Sequence, residues 1–160
     1  MSKKLSDFFT LLGFALFVLL VGFLSSWFSG MNIVKDIYFY LNKPSFAPPG
    51  WIFAPVWTIL YIFIGISAFL VWKKKDEKNI NPAIAVFFIQ LFLNYIWSII
   101  FFGRGNYGLA FFDIIALWIA ITVMIVIFYK ISKPAAWLLI PYWLWVTFAS
   151  ALNYFVWTLN

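Results

Sequence analysis

Five stretches of this chain are each long enough to cross a bilayer as a helix, and each is apolar almost throughout. They cover residues 5–28, 51–72, 82–102, 107–129 and 134–159. A helix that spans the hydrocarbon needs roughly 20 mostly apolar residues. Hydrophobic residues make up 66% of the chain and charged ones 10%, against about 25% charged in an ordinary soluble domain. A soluble fold of this size cannot hide that much apolar surface. A transmembrane barrel would need alternating strands with polar inward faces, whereas these runs are continuous. The sequence therefore predicts an all-α integral membrane protein, one domain over 1–160, built as a bundle of five transmembrane helices. Lys3 and Lys4 before an apolar run resemble a signal peptide. The run is too long for the usual hydrophobic region and no small-residue cleavage site follows, so an uncleaved first helix is expected.

The charges sit at the ends of the spans. With the amino terminus inside, the inner side carries Lys3, Lys4, Lys73, Lys74, Lys75, Lys78, Lys130 and Lys133, and the outer side only Lys35, Lys43 and Arg104. That asymmetry predicts a cytoplasmic amino terminus, in a membrane expected to be the bacterial cytoplasmic membrane. The net charge of +6 thus reads as a topology signal, and no nucleic-acid partner is expected. The chain has no Cys and no His. Disulfides, thiolate sites and imidazole ligation are excluded, and no metal site is expected.

The punctuation between spans is clear. Asn81 followed by Pro82 predicts an N-cap with proline in the first turn, and Ser132 with Pro134 announces the fifth helix similarly. Gly103, Gly105 and Gly108 spell G-x-G-x-x-G. No strand precedes them, so they read as a tight hairpin, not a dinucleotide site. The basic KKKDEKN loop reads as a solvated turn at anionic headgroups. The first loop, 30–50, is long for a membrane hairpin. Ile33, Ile37, Tyr40 and Leu41 form an apolar face with Lys35 and Asp36 off it, which suggests a short interfacial helix. Pro44, Pro48 and Pro49 then stiffen the approach to the second span. Such a loop is either a lid over the outer end of the bundle or a surface connector.

Inside the third span, Gln90, Asn94 and Trp97 fall at spacings of four and three, which puts them on one side of a helix. An amide in hydrocarbon is costly unless something hydrogen-bonds it. This stripe must face protein or a cavity, although amides also serve simply to glue helices together. Ten tryptophans are present. Trp27, Trp72 and Trp157 fall at span ends and fit the interfacial aromatic belt. Trp51 opens the second span. Trp145 lies within the fifth, with Ala149 and Asn153 following at four-residue spacing. Pro55 and Pro141 lie inside spans, where proline bends a helix. Asp113 is the one acid inside a span, and Arg104 precedes it across the glycine hairpin. A shallow pair with Arg104, or a hydrogen bond to a neighbouring helix, is the favoured reading.

PSFAPPGWIFAPVWTILY, QLFLNYIWSIIFF and PYWLWVTFASALNYFVW resemble the signature stretches of the tryptophan-rich sensory protein family, also called the translocator protein or peripheral benzodiazepine receptor family. The five-helix layout matches as well. The resemblance implies a bundle that is often a homodimer. It also implies a pocket towards one end that accepts porphyrins and benzodiazepine- or isoquinoline-type drugs. By motif, the pocket residues are Trp51, Asn94, Trp145 and Ala149, with Tyr61, Trp97 and Asn153 also in motif positions. Gln90 joins them through its place on the same stripe as Asn94. Mammalian relatives are associated with sterol through a Tyr followed by a basic residue late in the fifth helix. Here FVWTLN follows Tyr154, so that feature does not carry over.

The expected function is a membrane receptor or binding protein for porphyrins and similar flat hydrophobic ligands. Tryptophan faces can stack on such a plate, amides can orient it, and basic residues near the surface can meet its carboxylates. Without His or Cys, recognition of the ring is expected over ligation of iron, and no cofactor is required. Conventional catalytic machinery is missing. A bound photosensitiser beside oxidisable Trp51 or Trp145 would nevertheless support light-dependent porphyrin breakdown. The alternatives are a transporter of tetrapyrroles or lipids and a structural assembly factor whose aromatics only pack.

Overall fold

The computed structural model describes residues 3–30 and 37–160. Ile33 of the expected interfacial face, and Lys35 and Asp36 off it, lie outside them. The described residues form helices and turns and no strand. The first span is α1, Lys3–Phe28. A 3-10 turn, Gly50–Ile52, opens the second span and leads into α2, Phe53–Trp72. Pro55 thus falls in the first turn of α2, where a missing N–H leaves no hydrogen bond unmade.

The third span is α3, Asn81–Ser98, which continues as a π turn over Ile99–Gly103. Its cap differs from the sequence expectation: Ile80 is the N-cap residue and Asn81 already begins the helix. Asn79 acts instead, its side-chain oxygen accepting from the Asn81 backbone N–H at 3.0 Å. Gly105 adopts φ +60, a left-handed turn that glycine takes at no steric cost. Asn106 then caps α4, Tyr107–Ile131, by accepting from the Leu109 N–H at 3.0 Å. The three glycines therefore serve a helical hairpin.

The fifth span is two helices: α5, Lys133–Leu138, and α6, Ile140–Leu159. Pro141 lies in the first turn of α6. Its ring and missing N–H are incompatible with a bond to the preceding turn, so the bend expected inside the span becomes a break just before it.

Helix contacts place the spans in a ring: α1 beside α2, α2 beside the fifth span, that span beside α4, α4 beside α3, and α3 back against α1. Small residues allow the close approaches, as membrane helices require. Gly65 of α2 faces the backbone of Ala15 in α1, where an added Cβ would meet the Ala15 Cα at 2.7 Å. Polar bonds tie the remaining seams. Ser25 donates to the Tyr95 carbonyl at 2.7 Å, and Ser67 to the Ala135 carbonyl at 2.7 Å. The indoles of Trp118 and Trp143 donate to Thr147 and Thr122.

The basic loop crosses one end of this ring. Lys73 pairs with Asp7 of α1 at 2.8 Å, and Lys78 donates to the Lys130 and Ile131 carbonyls at the end of α4. Cations there meet carbonyls that α4 cannot satisfy internally. A hydrogen bond from Lys74, helped by its charge, holds the Glu77 carboxyl below its usual range.

Candidate functional site

Three helical stripes meet inside the bundle. α2 presents Phe53, Trp57 and Tyr61 at four-residue spacing; α3 presents Gln90, Asn94 and Trp97; α6 presents Tyr142, Trp145, Ala149 and Asn153. Their polar groups form a directed chain. The Tyr61 hydroxyl donates to Asn94 Oδ1 at 2.8 Å, Asn94 Nδ2 donates to the Tyr142 hydroxyl at 2.9 Å, and that hydroxyl donates to Gln90 Oε1 at 3.0 Å. Gln90 is 0% exposed, and its Nε2 has no partner among the described residues. Trp57 packs its ring against both Tyr61 and Tyr142. The cost of burying these amides in an apolar bundle is thus offset by pairing them with phenols on two other helices.

A second polar link lies nearer the glycine hairpin. The Trp97 indole donates to Asn153 Oδ1 at 3.0 Å, and Asn153 Nδ2 donates to the Tyr107 carbonyl at 2.8 Å. Trp97 also stacks on Phe101 at 5.0 Å between centroids. These two residues therefore join α3, α6 and the start of α4.

Trp145 differs from both. Its ring lies between Phe53 at 5.9 Å and Phe148 at 5.6 Å. Its indole Nε1 is buried with no partner among the described residues. A buried indole N–H usually finds an acceptor. Ala149, one turn further along α6, is buried. Trp51 does not join this group. It stands in the 3-10 turn at 73% exposure, and Phe53, two residues later, is the ring that touches Trp145.

The described part of the first loop lies across this end of the bundle. Residues 37–40 are helical. Lys43 caps that turn by donating to the Tyr38, Phe39 and Leu41 carbonyls. Buried Tyr38 packs edge-on against Phe53 at 5.1 Å and donates to the Pro48 carbonyl at 2.7 Å. Burial pushes its hydroxyl pKa up. Phe46 meets Phe148 and Phe155 of α6, and Asn42 exchanges hydrogen bonds with Leu159 and Asn160. The loop is therefore held to α2 at Phe53 and to α6, the helix that carries Trp145.

Other residues fall differently from the sequence expectation. Asp113 makes no ion pair with Arg104 among the described residues; its Oδ2 is buried without a partner and Arg104 is exposed. Trp27 and Trp157 are exposed at span ends, but Trp72 is partly buried against Phe14, with Lys75 over its ring. Tyr142 and Trp57 escaped the sequence reading. Tyr142 precedes Trp145 by three, which extends the α6 stripe by a turn, and Trp57 bridges Phe53 and Tyr61 at spacings of four. Period was the available signal in both cases.

Five spans around an interior of phenols, indoles and amides define an integral membrane protein with a binding or transport role inside the bilayer. Its family follows from comparison with known proteins. The chain belongs to the TspO/MBR family, whose model matches residues 14–158. It is 46% identical over 143 residues to the tryptophan-rich protein TspO of Archaeoglobus fulgidus, covering 89% of this chain and 92% of that one. It is 38% identical over 154 residues to the translocator protein of Sus scrofa, covering 92% and 88%. It is 31% identical over 123 residues to the tryptophan-rich sensory protein of Cereibacter sphaeroides, covering 77% and 76%.

Proposed function

We propose that the chain binds porphyrins and similar flat hydrophobic ligands, benzodiazepine- and isoquinoline-type drugs among them, at the loop-covered end of the bundle. The observation that carries this reading is the unpartnered Trp145 indole N–H, held between Phe53 and Phe148 beneath a loop bonded to α2 and α6. A ring entering there stacks on aromatic faces and gives the N–H an acceptor. Asn94 and Gln90 lie deeper and orient it. Trp51, exposed in the 3-10 turn that leads to Phe53, would close over the ligand from the rim. Without His or Cys the site reads the ring and favours metal-free porphyrin.

Titration of the purified protein with protoporphyrin, in darkness and in light, tests this. Trp145→Ala weakens affinity by about 2 kcal/mol, roughly thirtyfold, whereas exposed Trp27→Ala leaves binding nearly intact. If light drives oxidative loss of the bound porphyrin in the presence of dioxygen, Trp145→Phe and Trp51→Phe slow that loss while retaining binding, because phenylalanine is harder to oxidise. Equal affinity and equal photochemistry across wild type and all these variants would leave the aromatics with packing as their only role. Relatives named translocator protein raise movement of such ligands across the membrane as a second reading, and flux into sealed vesicles measures that directly.

A further inference from the structure

A cavity lies at the opposite end of the bundle from the first loop, under the basic loop. Its volume is about 160 Å³, and apolar and aromatic side chains line it. α1 contributes Phe14 and Phe17, α2 contributes Ala68 and Trp72, and α3 contributes Ala83 and Phe88, with Phe128 of α4 among the lining. Buried Ala68 and Ala83 leave the space: two methyl groups stand where larger side chains would fill the gap between α2 and α3. Phe17 and Phe88 touch edge to face at 6.2 Å. They are 42% and 53% exposed, so the cavity has a rim on the lipid-facing surface. From Ile80 to Phe88 its α3 wall rises ~12 Å at 1.5 Å per residue, about two fifths of the hydrocarbon thickness.

Charge marks the same end. Lys3, Lys4, Lys73, Lys74, Lys75, Lys78, Lys130 and Lys133 gather there against only Asp7, Asp76 and Glu77. Asp7 and Glu77 are taken by Lys73 and Lys74. Lys75, with no carboxylate partner among the described residues, sits 4.5 Å over the ring of Trp72. Trp72 is itself a wall of the cavity, so an apolar slot and an uncompensated ammonium share one side chain. Basic clusters at a membrane end attract anionic headgroups.

We propose that this slot is a specific site for one anionic phospholipid, an acyl chain lying between α1 and α3 and its phosphate meeting Lys75. The occupant has an apolar chain because the lining is apolar, and an anionic head because the mouth is cationic. The site is separate from the aromatic and amide interior beneath the first loop, and its test does not depend on that reading.

Native mass spectrometry of the purified protein, loaded with phosphatidylglycerol and phosphatidylcholine of identical acyl chains, reads the occupancy. Wild type retains one phosphatidylglycerol with about a tenfold preference, ~1.4 kcal/mol. Lys75→Gln removes most of that preference, and Ala68→Leu fills the slot and abolishes retention of the tightly held lipid. Both variants keep wild-type protoporphyrin affinity. Equal retention of the two lipids by wild type overturns the proposal, as does undiminished retention in a folded Ala68→Leu protein. If Ala68→Leu fails to fold, Lys75→Gln decides alone, since an unchanged preference there removes the assigned headgroup contact. Displacement of the lipid by protoporphyrin would reassign the slot to the ring ligand and equally overturn it.

Discussion

Tyr142 holds the interior together at the level of single groups. Its hydroxyl accepts from Asn94 and donates to Gln90, so one oxygen joins two amides of α3 to α6. Tyr142→Phe keeps the ring and its packing against Trp57 but leaves Asn94 Nδ2 and Gln90 Oε1 without their phenol. The expected cost is about 1–3 kcal/mol, the penalty of buried polar atoms left unpaired, read as a lowered Tm in detergent. Replacement of the exposed Trp27 lowers it far less. Asn94 and Gln90 were legible in the sequence because an amide among apolar residues has to be facing something. Tyr142 was not, because a tyrosine in an aromatic-rich span looks like any belt or core ring until its oxygen is located. The orphaned Asp113 oxygen was illegible for a similar reason: sequence distance from Arg104 said nothing of which way either side chain turns.

Among the elements, α1 and α2 depend on absence of side chain. Gly65 lets the α2 backbone approach Ala15 so closely that a Cβ would strike main-chain atoms, and backbone cannot swing aside. Gly65→Ala therefore separates the two helices and costs about 1–3 kcal/mol, measured by thermal unfolding. Gly22→Ala meets the ring of Tyr61 first, a side chain and not backbone, but moving that ring strains its bond to Asn94. Melting of both variants beside wild type, with Gly22→Ala the milder, tests the distinction. The first loop gives a kinetic expectation. Phe46 clasps Phe148 and Phe155, so Phe46→Ala loosens the cover and raises the porphyrin dissociation rate by roughly fivefold for ~1 kcal/mol lost, with association little altered. An unchanged off-rate in a folded variant reduces the loop to a connector. The spans were readable from hydropathy, since lipid enforces continuous apolar helices. The break at Leu139 was not placed from sequence, because proline specifies that a bend occurs and neighbouring packing decides on which side.

For the whole molecule, the lysines set the expectation for orientation. The charge asymmetry predicts that the end strapped by Lys73 and Lys78 faces the cytoplasm and the loop over Trp145 the outside. The native chain has no cysteine, so single cysteines report cleanly. In intact cells an impermeant thiol reagent labels Ser45→Cys and spares Asn79→Cys, and the reverse pattern inverts the topology. The order of helices around the ring carries a consequence for synthesis. Consecutive spans pair as α1 with α2 and α3 with α4, and the fifth span fits between α2 and α4. Ribosomes add roughly 5–20 residues per second, so a nascent chain spends seconds with that slot vacant. During that interval Asn94 and Gln90 lack the Tyr142 hydroxyl that joins them. The last helix made is thus the keystone. A truncated or stalled chain leaves Gln90 and the Asn94 amide nitrogen without the phenol that pairs them, while Tyr61 of the second span can still hold the Asn94 oxygen.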